Sequence, residues 1–173
     1  IVSTKGYARF ASPSLNMYFK KVLDTTGKEI TVNADYLRYL KKWNDDFSTD
    51  FYDGNKTKYR SAELLRDFSP ADNEIKSISV DYVHPLKKNA KLEAGLKTIF
   101  SKTDNDVLWQ NYTVNTWVND LVKTNHFIYE ENILAAYINY SKTIKKLSVE
   151  TGLRAEQTFT TGTSLTLNTA VKN

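Results

Sequence analysis

The sequence predicts an all-β chain, folded as a curved antiparallel meander of about six long strands. Two observations predict this fold. Apolar and polar residues alternate with a period of two in six successive segments, which is typical of strands whose two faces meet different surroundings. The segments also come in pairs, and each pair is joined by a short turn that contains lysine. The predicted strands span residues 15–25, 29–43, 74–86, 90–103, 126–143 and 147–160.

The first pair of segments shows both the alternation and the turn chemistry. Ile30, Val32 and Ala34 occupy every second position of the strand at 29–43, between polar residues. The turn before them is Thr26-Gly27-Lys28, in which Gly27 supplies the conformational freedom that a tight turn needs. This pair is therefore predicted to be a hairpin.

The second pair follows the same rule. Ile78, Val80 and Tyr82 share one face of the strand at 74–86, and Leu92, Ala94 and Leu96 share one face of the next strand. Pro85 cannot donate a ladder hydrogen bond, so it is expected at a strand end, next to a turn at 86–89.

The third pair contains the most regular alternation, at residues 147–160, and one ambiguous segment. Residues 130–147 are rich in helix formers, but their strand neighbours favour a strand in which Leu134, Ala136 and Ile138 share a face. Two shorter stretches, 61–68 and 116–123, are predicted to be locally helical.

The connections are strongly asymmetric. The turns within the pairs are short, whereas residues 44–73 and 104–125 are polar and are predicted to be long loops. Short turns at one end and long loops at the other are typical of a transmembrane β-barrel, and the predicted strands are long enough to span a bilayer at a tilt. Because such barrels start at eight strands, the whole chain, 1–173, is predicted to be a partial outer-membrane β-barrel domain, a sector of a larger barrel.

Composition removes several other classes of protein. The chain has 173 residues and no cysteine, which excludes disulfide scaffolds, zinc ribbons and thiol nucleophiles. Its net charge of +4 needs no nucleic-acid partner. The longest apolar run, residues 133–138, is far shorter than the roughly 20 residues of a spanning helix. The N-terminus shows no signal peptide and no initiator Met, so we expect a mature chain or an excised fragment.

Several motifs, in order and at hairpin spacing, resemble the barrel of TonB-dependent outer-membrane receptors, and most closely the outer-membrane β-barrel family common in Bacteroidota. The resemblance covers about residues 15–162. It rests on residues 19–21, 27–31, 34–36, 82–86, 91–97, 103–106, 125–133, 135–137, 152–156, Thr158 and Gly162.

The resemblance implies a 22-stranded barrel in the cell outer membrane, closed by a plug domain of the same parent chain. It further implies import of a ligand with energy from the TonB complex, and it leaves open whether a surface lipoprotein caps the loops. No enzyme activity is expected, because the residues show no catalytic motif. This chain contains neither a plug nor a TonB-contact segment, so it is expected to be one slice of the receptor. The ligand stays open among an iron chelate, an oligosaccharide, a peptide and a cobalamin.

On this hypothesis the polar strand faces line the lumen and the long loops contact the ligand. The candidate ligand-facing residues are Trp109, Tyr112 and Trp117. The candidate lumen-facing residues are Asp81, Glu93, Lys97, Glu150, Arg154 and Glu156. Aromatic residues near the strand ends are expected to form two girdles at the membrane surfaces. They are Trp43, Phe100, Phe127 and Tyr129 at the long-loop end, and Tyr82, His84 and Tyr140 at the other.

No motif points to a cofactor, a metal or a catalytic centre. The acidic loop at 45–55 offers oxygen ligands, but its spacing does not match a calcium-binding loop, so a solvated loop is favoured. The only histidines, His84 and His126, are expected near opposite strand ends. Two other hypotheses stay open: a soluble all-β module that holds a small apolar ligand inside a closed barrel, and a secreted adhesin or structural protein.

Overall fold

The computed structural model describes all of residues 1–173 and contains a single antiparallel sheet of ten strands. The strands are β1 (Val2–Ala11), β2 (Ser14–Val22), β3 (Glu29–Tyr52), β4 (Lys58–Phe68), β5 (Ala71–Leu86), β6 (Ala90–Thr113), β7 (Thr116–Asn119), β8 (Asn125–Ile144), β9 (Leu147–Ser164) and β10 (Thr169–Lys172).

These strands form six columns, as the sequence predicts. β1 and β2 both pair with β3 and are two parts of one long strand, interrupted at Pro13. β4 and β5 form a second interrupted strand, with Pro70 at the break. Proline has no N–H to donate to the ladder, which explains both interruptions. The columns follow the order β1/β2, β3, β4/β5, β6, β8, β9, and β7 and β10 are short return strands.

The two predicted long loops are wrong in most of their length. β3 continues to Tyr52, β4 occupies residues 58–68, and β6 continues to Thr113. The stretches predicted to be helical are also extended, as β4 and as β7 followed by a turn. In this part of the sheet both faces mix polar and apolar residues, so the alternation that indicates a strand is missing from the sequence. By contrast, the strand predicted in the helix-rich segment is confirmed as β8.

The three turns predicted to be short lie together at one end of the sheet. The opposite end also has a tight turn, at Val114-Asn115, where both residues have positive φ, of 48° and 58°. At Leu86-Lys87-Lys88-Asn89-Ala90, Lys88 and Asn89 both have positive φ, of 62° and 54°, which matches the turn that suits hairpin twist. At the first turn Gly27 has a φ of 90°. There Asp24 accepts hydrogen bonds from Thr26 and Lys28. The Thr26 hydroxyl and the Lys28 ammonium hold the pKa of the Asp24 carboxyl below its usual range.

The sheet has almost no buried core. Only three of 173 residues are buried: Ala90, Gly95 and Ser164. Large apolar side chains are instead open, among them Leu96, which is 64% exposed, and Leu153, which is 78% exposed. The structure has no helical segment with the length and hydropathy of a membrane span.

Strand register sorts the side chains onto an apolar face and a polar face. Central rows of the apolar face are Ile30-Tyr82-Ala94-Ile138-Leu153 and Val32-Val80-Leu96-Ala136-Ala155. Residues one position away, such as Lys97 and Ala135, lie on the polar face because successive side chains alternate.

Aromatic residues flank the apolar band at both ends. Tyr82, His84 and Tyr140 lie toward the short turns, and Tyr36, Phe100 and Phe159 lie toward the long hairpins. The girdle predicted for Trp43, Phe127 and Tyr129 is wrong, because register places all three on the polar face. From His84 to Lys76 along β5, the band measures about 26 Å at about 3.3 Å per residue, which fits a tilted span.

Two neighbouring alanines on opposite faces of β8 test whether the apolar face is the one that contacts hydrocarbon. In the full-length protein folded into phospholipid vesicles, we expect Ala136→Arg to lower the free energy of unfolding by about 2–4 kcal/mol, because the guanidinium enters hydrocarbon. Ala135→Arg, on the polar face, is expected to cost less than about 1 kcal/mol. Urea unfolding followed by tryptophan fluorescence measures both; equal costs would contradict the assignment.

Candidate functional site

The polar face contains all six residues predicted to face the lumen: Asp81, Glu93, Lys97, Glu150, Arg154 and Glu156. Their chemistry differs from that of the apolar face at the same height, where the neighbours are Val80, Leu96 and Ala155. The polar face therefore offers hydrogen-bonding groups along the whole span. That these groups line a lumen stays a prediction.

A hydrogen-bond network joins three strands of this face. Asn16 donates to Asn33 at 2.9 Å and to Asp35 at 2.6 Å, between atoms Nδ2 and Oδ1 in both cases. Ser77 donates to the second oxygen of Asp35 at 2.9 Å. Each carboxylate oxygen thus has a partner, so β2, β3 and β5 are tied together by side chains as well as by backbone.

A second contact crosses β6. The hydroxyl of Tyr137 on β8 donates to Oδ1 of Asp81 on β5 at 2.6 Å. The two strands are not neighbours, and Gly95 of β6 lies between them. A Cβ on Gly95 would lie 2.3 Å from the Tyr137 ring and 2.4 Å from the Asp81 carboxylate. The absence of a side chain at Gly95 is what allows this contact.

Two ion pairs on this face each join residues two apart on one strand. Lys91 contacts Glu93 at 2.8 Å, and Arg154 contacts Glu156 at 2.7 Å. These pairs are largely open to solvent and add little stability. Lys97 makes no ion pair, so its ammonium is available to a partner that enters from the polar side.

On the side of the long hairpins the polar face extends beyond the apolar band, and there it contains aromatic residues. Phe47 of β3 and Trp109 of β6 stack with ring centroids 5.6 Å apart and an interplanar angle of 18°. The Lys123 ammonium lies 5.5 Å from the Trp109 ring. Trp43 lies on the same face and donates its indole N–H to Asp45. We call Trp43, Phe47 and Trp109 the mouth cluster.

The three aromatic residues predicted to contact ligand do not share one surface. Trp109 belongs to the mouth cluster, whereas Tyr112 and Trp117 pair on the opposite face, with ring centroids 5.2 Å apart. The guanidinium of Arg66 covers Trp117 at 4.2 Å. A ligand-facing role stays a prediction for all three. Their separation follows from the strand extension, since residues 109 and 112 differ in parity along β6.

The sequence did not reveal the partners of Trp109. Phe47 is distant in sequence, and it becomes a neighbour only because β3, β4 and β6 extend as strands past the membrane band. Extending the period-two numbering of β3 and β6 through the polar segments is the one signal that would have placed Phe47 and Trp109 on the same face.

The acidic residues of the predicted loop hold the hairpin together. Oδ1 of Asp53 accepts the backbone N–H groups of Asn55 and Thr57, at 2.9 and 2.8 Å. Asp50 forms an ion pair with Lys58. His126 contacts Asp104 at 2.8 Å. No group of three or more potential ligand residues is positioned to hold a metal ion.

The comparisons with known proteins agree with this geometry. The model of the outer membrane protein beta-barrel family matches residues 21–173. The chain belongs to this family. As a member of the family it lies in the cell outer membrane, and its apolar face contacts lipid. No curated protein matches the chain in sequence.

A solved structure shows the same fold for this family member. The chain is similar to a structure described as the ferric citrate transporter FecA in the unliganded form, with a TM-score of 0.52 and 9% sequence identity. The match covers 84% of this chain and 22% of the FecA chain. At this identity the similarity shows the fold alone. The chain spans less than a quarter of the length of that transporter.

The Tyr137–Asp81 contact of this β-barrel protein can be tested through Gly95. We expect Gly95→Ala to lower the free energy of unfolding by about 1–3 kcal/mol, because the new methyl group displaces Tyr137 from Asp81. Gly54→Ala is the matched control, since a Cβ there meets nothing within 4 Å. Both variants of the full-length protein are compared by urea unfolding in vesicles. If Gly95→Ala were as stable as the wild-type protein, the close approach of Tyr137 and Asp81 above Gly95 would be contradicted.

Proposed function

We propose that this chain is a wall segment of a TonB-dependent receptor, which imports a ligand across the outer membrane. One observation carries the proposal. Polar, hydrogen-bonded side chains occupy one face along the entire membrane band, while the other face is apolar. Such a sheet separates lipid from water, as the wall of a wide barrel does.

The open edges of the sheet support a larger barrel. β2 and most of β9 each have one side with no strand partner. Unpaired backbone groups within hydrocarbon are costly, so a spanning sheet must close. Six columns are fewer than the smallest barrels use, and further strands of the parent chain supply the remainder.

The polar face suits a barrel that is filled by protein. Lys97 is unpaired, and the pairs Lys91–Glu93 and Arg154–Glu156 leave hydrogen-bonding capacity toward the interior. We propose that Asp81, Glu93, Lys97, Glu150, Arg154 and Glu156 face this interior, where a plug domain of the same chain contacts them. The TonB complex acts through that plug, and a surface lipoprotein is a further partner of the parent.

The mouth cluster is the proposed ligand contact of this segment. It lies on the interior side, beyond the membrane band, where a ligand arrives from outside. The stacked Phe47 and Trp109 rings offer a rigid apolar surface beside the carboxylates of Asp45 and Asp67. Aromatic side chains with nearby polar groups are common in binding sites, because the rings supply area and the polar groups supply direction.

The soluble alternative finds no support in this geometry. It requires Leu134, Ala136 and Ile138 to point into a cavity closed by the sheet. Leu134 is 51% exposed and Ile138 is 46% exposed, on a sheet whose edges do not meet.

Energised uptake tests the proposed function. Cells that express the full-length protein are given radiolabelled ferric citrate, cyanocobalamin, maltohexaose and a tetrapeptide in turn. We expect saturable accumulation of one probe, and its loss when the proton-motive force is collapsed or TonB is deleted. Accumulation that survives both treatments, or no accumulation of any probe, would contradict the receptor assignment.

A pair of aromatic substitutions refines this test. With the transported probe, Trp109→Ala is expected to raise the half-saturating concentration about fivefold, because stacking of this kind contributes on the order of 1 kcal/mol. Of the three residues predicted to contact ligand, we propose only Trp109 as a contact, so Tyr112→Ala, three residues away on the opposite face, is the matched control and should leave uptake unchanged. The reverse pattern would show that ligand contacts the other face.

A further inference from the structure

Two carboxylates lie beside the aromatic rings of the mouth cluster. Asp45 and Asp67 are directly opposite each other on β3 and β4, and Trp109 is directly opposite Asp67 on β6. Trp43 contacts the same pair, because its indole N–H donates to Asp45. The rings and the two carboxylates therefore form one continuous surface on the polar face, outside the membrane band.

This pair of like charges is not neutralised by the chain. Like charges directly opposite each other on neighbouring strands are destabilising, yet neither Asp45 nor Asp67 makes an ion pair. Strand alternation explains why. Arg66, the basic residue next to Asp67 in sequence, lies on the opposite face, where its guanidinium covers Trp117. The pair therefore leaves a local excess of negative charge.

The carboxylate oxygens keep free acceptor capacity. Oδ2 of Asp45 accepts the indole N–H of Trp43, whereas Oδ1 has no donor and is not buried. This oxygen lies over Gly6, where a Cβ would approach it to 1.7 Å, so the missing side chain provides its space. Oδ1 of Asp67 accepts the backbone N–H of Asp45, and Oδ2 accepts the hydroxyl of Ser69. Because each carboxylate oxygen has two lone pairs, both groups can accept further donors.

The neighbouring rings already attract ammonium groups of the chain itself. Lys41 Nζ lies 4.1 Å from the ring centroid of Trp43, and Lys123 Nζ lies 5.5 Å from that of Trp109. Such contacts are favourable because the face of an indole is electron-rich. Lys123 pairs with Asp120, and neither ammonium is within ion-pair distance of the two carboxylates. The surface therefore suits a further cation, which would meet both the rings and the carboxylates.

We propose that the mouth cluster, together with Asp45 and Asp67, binds a basic peptide. An ammonium or guanidinium group of the ligand lies between the two carboxylates, and its aliphatic stem packs on the stacked rings of Phe47 and Trp109. Among the four classes of ligand that the sequence leaves open, a peptide carries such groups in its lysine and arginine side chains. This inference rests on the proposed function, because it takes the polar face as the interior of a receptor.

Isothermal titration calorimetry of the full-length protein in detergent tests this site without requiring uptake. The probes are an end-capped tetrapeptide with two lysines and the same peptide with both lysine side chains acetylated. The lysine peptide is expected to bind at least about tenfold more tightly, because acetylation removes the charge. Raising the salt from about 0.05 M to about 0.5 M should weaken the binding of the lysine peptide alone, since salt screens exposed charges.

Substitutions on the two faces of β3 locate the charge. Asp45→Asn/Asp67→Asn keeps the shape of both side chains and should weaken binding of the lysine peptide about tenfold, since each exposed ion pair contributes roughly a factor of three. Asp46→Asn is the matched control, because Asp46 lies on the opposite face between Lys5 and Arg66, and it should bind as wild type does. In urea unfolding, the double variant should be at least as stable as wild type, because it removes the repulsion between like charges.

The outcomes separate this inference from the proposed function. Equal affinity for the two peptides, or equal binding by Asp46→Asn and the double variant, would overturn the peptide site even if energised cells take up another probe. Stronger binding of spermidine than of the lysine peptide would assign the charge pair to a polyamine and would also overturn it. Binding of the lysine peptide without any energised uptake would support the site and contradict the receptor assignment alone.

Discussion

Backbone hydrogen bonding is the constraint on which the rest of this structure depends. Hydrocarbon cannot satisfy an N–H or C=O group, so each strand that crosses it needs a partner on both sides. The structure has 118 backbone hydrogen bonds, of which 103 lie within its strands. The interruptions at Pro13 and Pro70 lie beyond the aromatic row Tyr36-Phe100-Phe159, on the side of the long hairpins, where water can reach the backbone. The sequence thus places its two ladder breaks where they cost least.

This constraint explains why a chain without a core has a defined fold. The apolar side chains are sorted onto one face by the same register that sorts Asp35, Asp81 and Tyr137 onto the polar face. Side-chain contacts on the polar face then reinforce the ladder across more than one strand, as Tyr137 does above Gly95. Lipid contact on the apolar side and hydrogen-bonded side chains on the polar side replace the buried core of a soluble domain.

The sequence predicts the membrane part of the fold better than the part outside it. Alternation at Ile30-Val32-Ala34 and at Leu134-Ala136-Ile138 exists because the two faces meet lipid and water, so six strands and their order were predictable. Beyond the apolar band the two faces no longer differ in polarity. The sequences of β4 and of the last part of β3 therefore do not alternate, and they are predicted to be loop. Trp109 could be selected as a candidate, but its stacking on Phe47 depends on long-range register that no local pattern encodes. The same register separates it from Tyr112 and Trp117.

The most direct test of the central claim is water accessibility along β8. The chain has no cysteine, so single cysteines can be placed at residues 134–139 of the full-length protein in outer-membrane vesicles. A water-soluble maleimide is then used to label them, and mass spectrometry measures the labelled fraction. The account predicts labelling at 135, 137 and 139 and protection at 134, 136 and 138. Uniform labelling, or the opposite alternation, would contradict it.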